Sequence, residues 1–184
     1  MEKGETWEIR YSVRPDEDMK MNSNRFTHLG QLKPSKDDAM LAGTGLYALT
    51  ANDKGLSVRF SSQGGDIEDF YTAENKIGED FLDWDDVRGK WVHVEIIVKW
   101  GRNIKVLLTG AVEGKYKWPK GHNPIVWSSK TMDSVRLKLG AYHSKGNVGD
   151  AKVSYKDVSL VGPADREIIT HSSPEAQDDI CRDW

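Results

Sequence analysis

Strict alternation of apolar and polar side chains near the start of the chain is the feature that most constrains its fold. Across residues 7–14, every second residue is apolar and every residue between is polar. A period of two residues predicts a β-strand with one face buried and the other in solvent. The apolar members are Trp7, Ile9, Tyr11 and Val13.

Seven further β-like runs follow this first strand. They are residues 26–33, 45–50, 56–61, 91–100, 104–109, 135–142 and 152–161. Turn signals such as Asn52-Asp53-Lys54-Gly55 separate them and favour tight antiparallel connections, and no βαβ rhythm is visible. About eight strands in 184 residues predict one all-β sandwich of two antiparallel sheets.

The domain boundaries follow from where this pattern stops. We place the β domain at residues 1–162 and interpret 163–184, which are polar, as a C-terminal tail. The acidic and irregular segment 66–88 is predicted to be a long loop with one short helical turn.

Charge and cysteine content exclude several classes of protein. The formal net charge is −3, so no global basic field is present to attract nucleic acid or anionic lipid. Cys181 is the single cysteine, which excludes an intrachain disulfide. No run approaches the roughly 20 apolar residues that a membrane span needs, and the charged start lacks a signal-peptide core. We expect a monomer that binds neither nucleic acid nor membrane, secreted by means of a leader absent from this sequence.

The run 135–142 carries the first candidate site residues. Period-two geometry places Arg136, Lys138 and Tyr142 on the face opposite the apolar one. An ordinary solvent face with extended cations explains the same pattern. Gly140 favours a site, because a glycine inside a strand often marks close approach of a ligand or of another backbone.

A second candidate lies in the run 26–33. There Gln31 and Lys33 share a face with Thr27, and His28 is expected on the opposite face. An amide donor beside an ammonium group can hold a carboxylate. A surface strand with mixed polar residues is the alternative interpretation.

Two single residues complete the candidates. In the run 91–100, His93 alternates away from the apolar residues and could serve as a general base or hold a carboxylate, although a lone histidine on a strand is often structural. Arg59, in the run 56–61, is a candidate cation by its position in a strand, with a rim arginine as the alternative.

These runs occur in an order that resembles jelly-roll polysaccharide lyases similar to heparin lyase I and glucuronan lyase. The resemblance covers about residues 4–162. It rests on Gly4-Glu5-Thr6-Trp7 before a strand, the Gln31 strand, Arg88-Gly89-Lys90-Trp91, the Lys138-x-x-x-Tyr142 spacing and the closing run 153–158. The chain departs from the family pattern in lacking an expected strand before Gly4.

The resemblance implies a concanavalin-like jelly roll that cleaves a uronic-acid-containing glycan by β-elimination. The C5 proton of a uronate is weakly acidic, so the adjacent carboxylate must be neutralised before a base removes that proton. A phenol close to cations ionises more readily, and can then accept the proton and return one to the leaving oxygen. The implied catalytic residues are Tyr142, Lys138 and His93, and the implied substrate-binding residues are Gln31, Arg59, Arg136 and Lys33.

Two other functions are compatible with the same fold. A lectin-like module would bind sugars without cleaving them, on stacking platforms offered by Trp84, Trp118 or Trp127. A glycoside hydrolase needs two carboxylates across the scissile bond. The Glu-x-Asp-x-x-Glu run of jelly-roll glucanases is absent, which disfavours a hydrolase.

No motif in the sequence indicates a cofactor. The five histidines show no paired spacing for zinc, and no glycine-rich phosphate loop opens a helix. We expect an acidic polysaccharide as the partner and no cofactor, apart from a structural Ca²⁺ that Asp157 or Asp150 could hold with backbone carbonyls.

Overall fold

The computed structural model describes residues 4–21, 27–34, 47–52, 55–60, 82–99, 103–117, 135–143, 151–163 and 169–171. Within these ranges lie ten strands and one helical turn, α1 (Trp84–Val87). The strands are β1 (Thr6–Pro15), β2 (Thr27–Pro34), β3 (Tyr47–Asn52), β4 (Gly55–Phe60), β5 (Val92–Lys99), β6 (Asn103–Gly110), β7 (Gly114–Lys117), β8 (Val135–His143), β9 (Val153–Val161) and β10 (Ile169–His171).

The strands form two antiparallel sheets, which confirms the all-β prediction. One sheet has six strands in the order β10-β9-β1-β5-β6-β7, and the other has four in the order β4-β3-β2-β8. Each of the eight predicted runs forms a strand. The described part of the segment 66–88 contains the predicted helical turn, where the Asp83 side chain caps α1 by accepting from the Asp85 N–H at 2.9 Å.

Two strands were not predicted from the sequence. β7 has four residues and β10 has three, which is too short for a period-two pattern to show. β10 pairs with β9 at the edge of the six-stranded sheet, with Ile169 opposite Leu160. β10 therefore lies beyond the predicted boundary at residue 162 and adds an edge strand to the sheet.

The apolar faces of the two sheets pack against each other to form the core. From the six-stranded sheet, the apolar residues of β1 are buried as their alternation predicts. From the four-stranded sheet, Leu29, Leu32 and Leu49 are fully buried. Because each sheet buries one face, its other face carries the polar residues and is available for a site.

The four-stranded sheet contains a break in register that changes which side chains share a face. Between the pairs Gly30–Leu139 and His28–Tyr142, β2 advances by two residues and β8 by three, whereas β3 advances by only one beside β2. Extra residues of this kind are β-bulges, which bend a strand and redirect its side chains.

Gly30 lies beside this break and faces the core, where a buried phenol occupies the space that a side chain would need. A Cβ at position 30 would collide with the hydroxyl of Tyr11 and approach its Cζ to 2.9 Å. Tyr11 cannot withdraw easily, because its hydroxyl lies 3.0 Å from that of Tyr47 in the core. Burial, with the neighbouring Tyr47, raises the pKa of Tyr11 well above its usual value, so the phenol stays neutral.

We therefore expect Gly30→Ala to lower the free energy of unfolding by about 1–3 kcal/mol, the usual cost of overpacking a core. Denaturant unfolding measures the change. In a Tyr11→Phe background, which removes the nearest colliding atom, the same substitution should cost less. Equal stability of Gly30→Ala and the parent would contradict this packing.

Candidate functional site

The outer face of the four-stranded sheet carries three rows of polar side chains on neighbouring strands. Directly opposed residues of an antiparallel pair project to the same face of a sheet. We call the six residues of these rows the polar face. The pairs are Lys33 with Arg136, Gln31 with Lys138, and His28 with Tyr142.

Five of the seven site residues predicted from the sequence thus lie together, and the backbone of a sixth is in register with them. Opposite Gln31 on its other side is Ala48, and Ala48 pairs in turn with Arg59 on β4. The side chain of Arg59 lies outside what the structure describes. Its predicted role as a substrate-binding cation stays a prediction.

His28 belongs to the polar face, although simple alternation placed it on the opposite side from Gln31. The bulge puts the consecutive residues Leu29 and Gly30 both on the core side, and His28 then projects outward beside Tyr142. One signal in the sequence was available. Leu29 and Leu32 are both strongly apolar but stand three residues apart, a spacing that a regular strand does not give to one face. Both are buried in the structure.

The His28 side chain is held by contacts on both sides. Its ring stacks on that of Tyr142 with centroids 5.9 Å apart and planes 12° from parallel. Its Nδ1 lies 2.8 Å from the hydroxyl of Thr50 on β3. Hydrogen bonding to a neighbouring strand fixes the imidazole orientation at the phenol.

The polar face concentrates positive charge. The pKa of Lys33 is lowered, first by partial burial of its ammonium group and then by repulsion from Lys138 and Arg136. The same ammonium nitrogen lies 5.4 Å from the centroid of the Tyr142 ring, a cation–π distance. Three cations that repel one another beside a phenol form a surface whose electrostatic energy falls when an anion binds.

Exposure differs sharply across the polar face. Gln31 is 4% exposed, whereas Tyr142 is 52% exposed and is one of the large exposed hydrophobic residues. Arg136 and Lys138 are also exposed. The amide therefore lies deep in the face, and the phenol and two cations lie where a large ligand can reach them.

His93 does not join this constellation, so the prediction that it shares a site with Tyr142 is wrong. It lies on β5 of the six-stranded sheet, where the alternating residues Val92 and Val94 fill the core and His93 points outward. Period-two reasoning assigned it correctly to a non-core face. That reasoning could not tell which of the two sheets the face belongs to.

His93 instead lines a cavity of about 490 Å³ on the outer face of the six-stranded sheet. Its Nδ1 lies 2.8 Å from the hydroxyl of Ser12, which donates to the Asp157 carboxylate at 3.3 Å. Arg10 and Glu95 line the same cavity, with the Arg10 Nη2 3.1 Å from a Glu95 carboxylate oxygen. The hydrophobic core separates this cavity from the polar face.

Other predicted ligand groups have structural partners. Asp157, one of the two residues that could hold a structural calcium, accepts from Ser12 and lies 4.0 Å from the Lys156 ammonium nitrogen. The other, Asp150, is outside the described residues. Among the residues that the structure describes, no group of three or more His, Cys, Asp or Glu side chains could hold a metal ion.

Of the three tryptophans that the lectin alternative would use as stacking platforms, the structure describes only Trp84. Trp84 packs against the core and its indole N–H donates to the Met19 carbonyl at 3.3 Å. Trp118 and Trp127 lie outside the described residues. In the described parts of the chain, no helix has the length and apolar character that crossing a membrane requires.

This chain is similar to known proteins in structure but not detectably in sequence. No family model matches the sequence, and no curated protein matches it either. An alginate lyase from Corynebacterium sp. is similar in structure, with a TM-score of 0.50 and 12% identity over 87% of this chain and 60% of that one. An alginate lyase of polysaccharide lyase family 7 gives 0.48 and 14% over the same shares of the two chains.

A marine family 14 alginate lyase from Aplysia kurodai gives a TM-score of 0.48 and 11% identity, over 89% of this chain and 72% of that one. This chain spans about 60% of the length of the Corynebacterium and family 7 enzymes. At 12% identity, the likeness to the Corynebacterium enzyme shows a common fold and no more. The protein has a two-sheet jelly-roll fold, which it shares with the Corynebacterium alginate lyase.

Proposed function

We propose that this chain is a polysaccharide lyase domain that cleaves a uronic-acid-containing glycan by β-elimination. One observation carries the proposal. An amide, three cations, an imidazole and a phenol occupy adjacent positions on one outer face of the jelly roll. This is the set of groups that neutralising a carboxylate and moving a proton beside it would require.

The cationic part of the polar face accounts for substrate binding. A uronate carboxylate can accept from the Gln31 amide and from the neighbouring Lys138, which lies directly opposite Gln31 in the sheet. Lys33 and Arg136 form the next row and extend the positive surface along the strands, as a polymer with repeated carboxylates would need. Acidic polysaccharide is therefore the proposed ligand class.

The phenolic part of the face accounts for the chemistry. Tyr142, as phenolate, takes the C5 proton; the C5–H electron pair forms the C4–C5 double bond as the C4–O glycosidic bond breaks. The leaving oxygen then takes a proton back from the Tyr142 hydroxyl, so that one residue serves as base and as acid. Carboxylate neutralisation by Gln31 and Lys138 stabilises the charge that develops when C5 loses its proton.

His28 is added to the proposed site although sequence alternation excluded it. Its ring stacks on Tyr142 and its Nδ1 is fixed by Thr50, so it stands in a defined orientation beside the reacting phenol. We assign it to binding the sugar next to the cleaved bond. His93 has no part in this mechanism, because it lies across the core.

The names of the similar solved structures support the choice of substrate class. Each is described as an alginate lyase, and alginate is a polymer of uronic acids. The particular uronate and its linkage are open, so alginate, glucuronan, heparin and pectate are all appropriate test substrates.

The experiment that tests the function is incubation of the purified protein with each of these polymers. Elimination creates an unsaturated uronate, which is followed by ultraviolet absorbance and identified by mass spectrometry of the released oligosaccharides. Accumulation of unsaturated product on at least one polymer supports the proposal. Binding without product would favour the lectin-like alternative, and neither binding nor product on any polyuronate would refute both.

The lowered pKa of Lys33 predicts how affinity depends on pH. Lys33 is more easily deprotonated in the free protein, and a bound carboxylate would raise its pKa again. Between those two pKa values the complex holds more protons than the free protein, so affinity for an oligouronate should fall as pH rises through the free-protein value.

Binding calorimetry on an oligouronate across the alkaline range measures this effect. Lys33→Arg is the matched variant, because arginine keeps its charge throughout that range. The fall in affinity should be smaller in Lys33→Arg and should begin at higher pH. An identical pH dependence in both proteins would show that Lys33 does not contact the anion.

A further inference from the structure

Tyr155 joins the two sheets at the point where the polar face departs from regular strand geometry. It belongs to β9 of the six-stranded sheet, and its ring packs against the core. Its hydroxyl reaches the four-stranded sheet, donating to the Leu29 carbonyl at 2.6 Å and accepting from the Gly140 N–H at 3.0 Å. One phenol thus contacts β2 and β8 together.

Both partners of this hydroxyl lie within the register break. Leu29 stands between Gly30 and His28, the two residues of β2 across which the register shifts. Gly140 lies between Leu139 and Tyr142, the corresponding residues of β8. Bulged residues leave the regular ladder and need other partners for their backbone groups, and the Tyr155 hydroxyl supplies one for each strand.

The backbone at Gly140 departs from regular strand geometry, and its N–H bonds to a side chain of the other sheet. Its φ is +146°, in a region that residues with a Cβ rarely adopt, and no atom lies within 4 Å of where its Cβ would be. The sequence indicated close approach of a ligand or of another backbone at this glycine. The structure gives a different reason, which is a bulge conformation completed by a hydrogen bond from the glycine to Tyr155.

We propose that Tyr155 is a positioning residue for the polar face: by fixing the bulges of β2 and β8, it holds His28 and Tyr142 in their stacked arrangement. The bulge in β2 is what turns His28 outward, and the extra residue in β8 is what brings Tyr142 opposite it. The two hydrogen bonds of the Tyr155 hydroxyl go to backbone atoms of Leu29 and Gly140 and not to the rings of His28 and Tyr142. It acts through the backbone that carries them.

The consequence for catalysis rests on the proposed lyase function, but the structural effect does not. Without its hydroxyl, residue 155 leaves the Leu29 carbonyl and the partly buried Gly140 N–H without this partner, and the bulges are free to shift. A displacement of about 1 Å in a reacting group can cost 100-fold in rate. The chemical groups of the polar face would all remain present but would no longer be aligned.

The test compares Tyr155→Phe with Tyr47→Phe. Tyr47 is a matched control, since Tyr47→Phe also removes a hydroxyl that joins the two sheets, through its contact with Tyr11. That hydroxyl bond involves neither Leu29 nor Gly140. Nuclear magnetic resonance reports the stacking directly, through cross-relaxation between the His28 and Tyr142 ring protons. We expect that signal to be lost in Tyr155→Phe and retained in Tyr47→Phe.

Lyase kinetics supply the second measurement. At temperatures where both variants are folded, kcat should fall about 100-fold in Tyr155→Phe with a small change in KM, and by far less in Tyr47→Phe. Unchanged ring contacts in Tyr155→Phe, or equal losses in the two variants, would overturn the proposal. The resonance measurement needs no activity, so it distinguishes failure of this inference from failure of the lyase assignment.

If Tyr155→Phe does not fold, Gly140→Ala tests the same proposal with the Tyr155 hydroxyl still present. An added Cβ disfavours the φ of +146° and disturbs the bulge in β8 from the other side of the same hydrogen bond. We expect it to weaken the contact between His28 and Tyr142 as well. Persistence of that contact in Gly140→Ala would equally count against the proposal.

Discussion

Replacement of Tyr142 by phenylalanine is expected to reduce the rate of glycan cleavage by about 10²- to 10⁴-fold, the range associated with a general acid–base residue. The substitution removes only the hydroxyl and keeps the ring that stacks on His28. Because Tyr142 is 52% exposed, the free energy of unfolding should change by less than about 0.5 kcal/mol. Initial rates of unsaturated-product formation measure the loss, and denaturant unfolding verifies the fold.

Binding provides the control that makes this result specific. The cations and the Gln31 amide remain in Tyr142→Phe, so affinity for an oligouronate should stay close to that of the parent. A variant that neither cleaves nor binds would indicate a damaged surface, and a variant that cleaves at the parental rate would remove Tyr142 from the mechanism.

The second large effect is expected at Gln31, where the amide neutralises the substrate carboxylate in the proposed mechanism. Gln31→Leu keeps a side chain of similar size at a site that is 4% exposed but removes both amide donors. We expect kcat to fall by about 10²- to 10³-fold, as when one donor to a developing negative charge is removed. Steady-state kinetics on the best polyuronate measures it.

Gln31→Glu separates loss of a donor from added repulsion. A carboxylate at position 31 would lie opposite Lys138 and repel the substrate carboxylate. The glutamate variant should therefore raise KM as well as lower kcat, whereas the leucine variant should act mainly on kcat. Full activity in either variant would show that Gln31 does not contact the uronate.

The polar face would also allow a negatively charged protein to bind a polyanion, as the proposed function requires. The chain has a formal net charge of −3, but Lys33, Lys138 and Arg136 lie close enough for the latter two to lower the pKa of Lys33. Over distances shorter than the Debye length of about 10 Å, such a local cluster determines the field that a ligand meets. Affinity for polyuronates should accordingly weaken as salt is added.

Much of the polar face could be predicted because strand alternation is a local property. Period-two geometry assigned Gln31, Lys33, Arg136, Lys138 and Tyr142 to strand faces without reference to any distant part of the chain. The structure places all five on one surface of one sheet. Their catalytic and binding roles stay proposals that the variants above test.

The errors arose where alternation gave incomplete information. His93 alternates as regularly as Lys138, but alternation does not tell which sheet of a sandwich a strand joins. β5 pairs with β1 and β6, so His93 lies on the six-stranded sheet, away from the polar face. His28 was assigned to the wrong face because β2 has one extra residue between His28 and Gly30. That residue reverses the alternation for the residues before it, including His28.

The sequence by itself determined the fold class, most strand positions and the side chains that face away from the core, because apolar periodicity is imposed by burial in any sandwich. Tertiary structure alone decided which outward-facing residues meet, since that depends on sheet order and register between distant strands. It also decided that His28 lies beside Tyr142. That contact requires a bulge whose backbone is satisfied by Tyr155, a residue 126 positions from Leu29 in the chain.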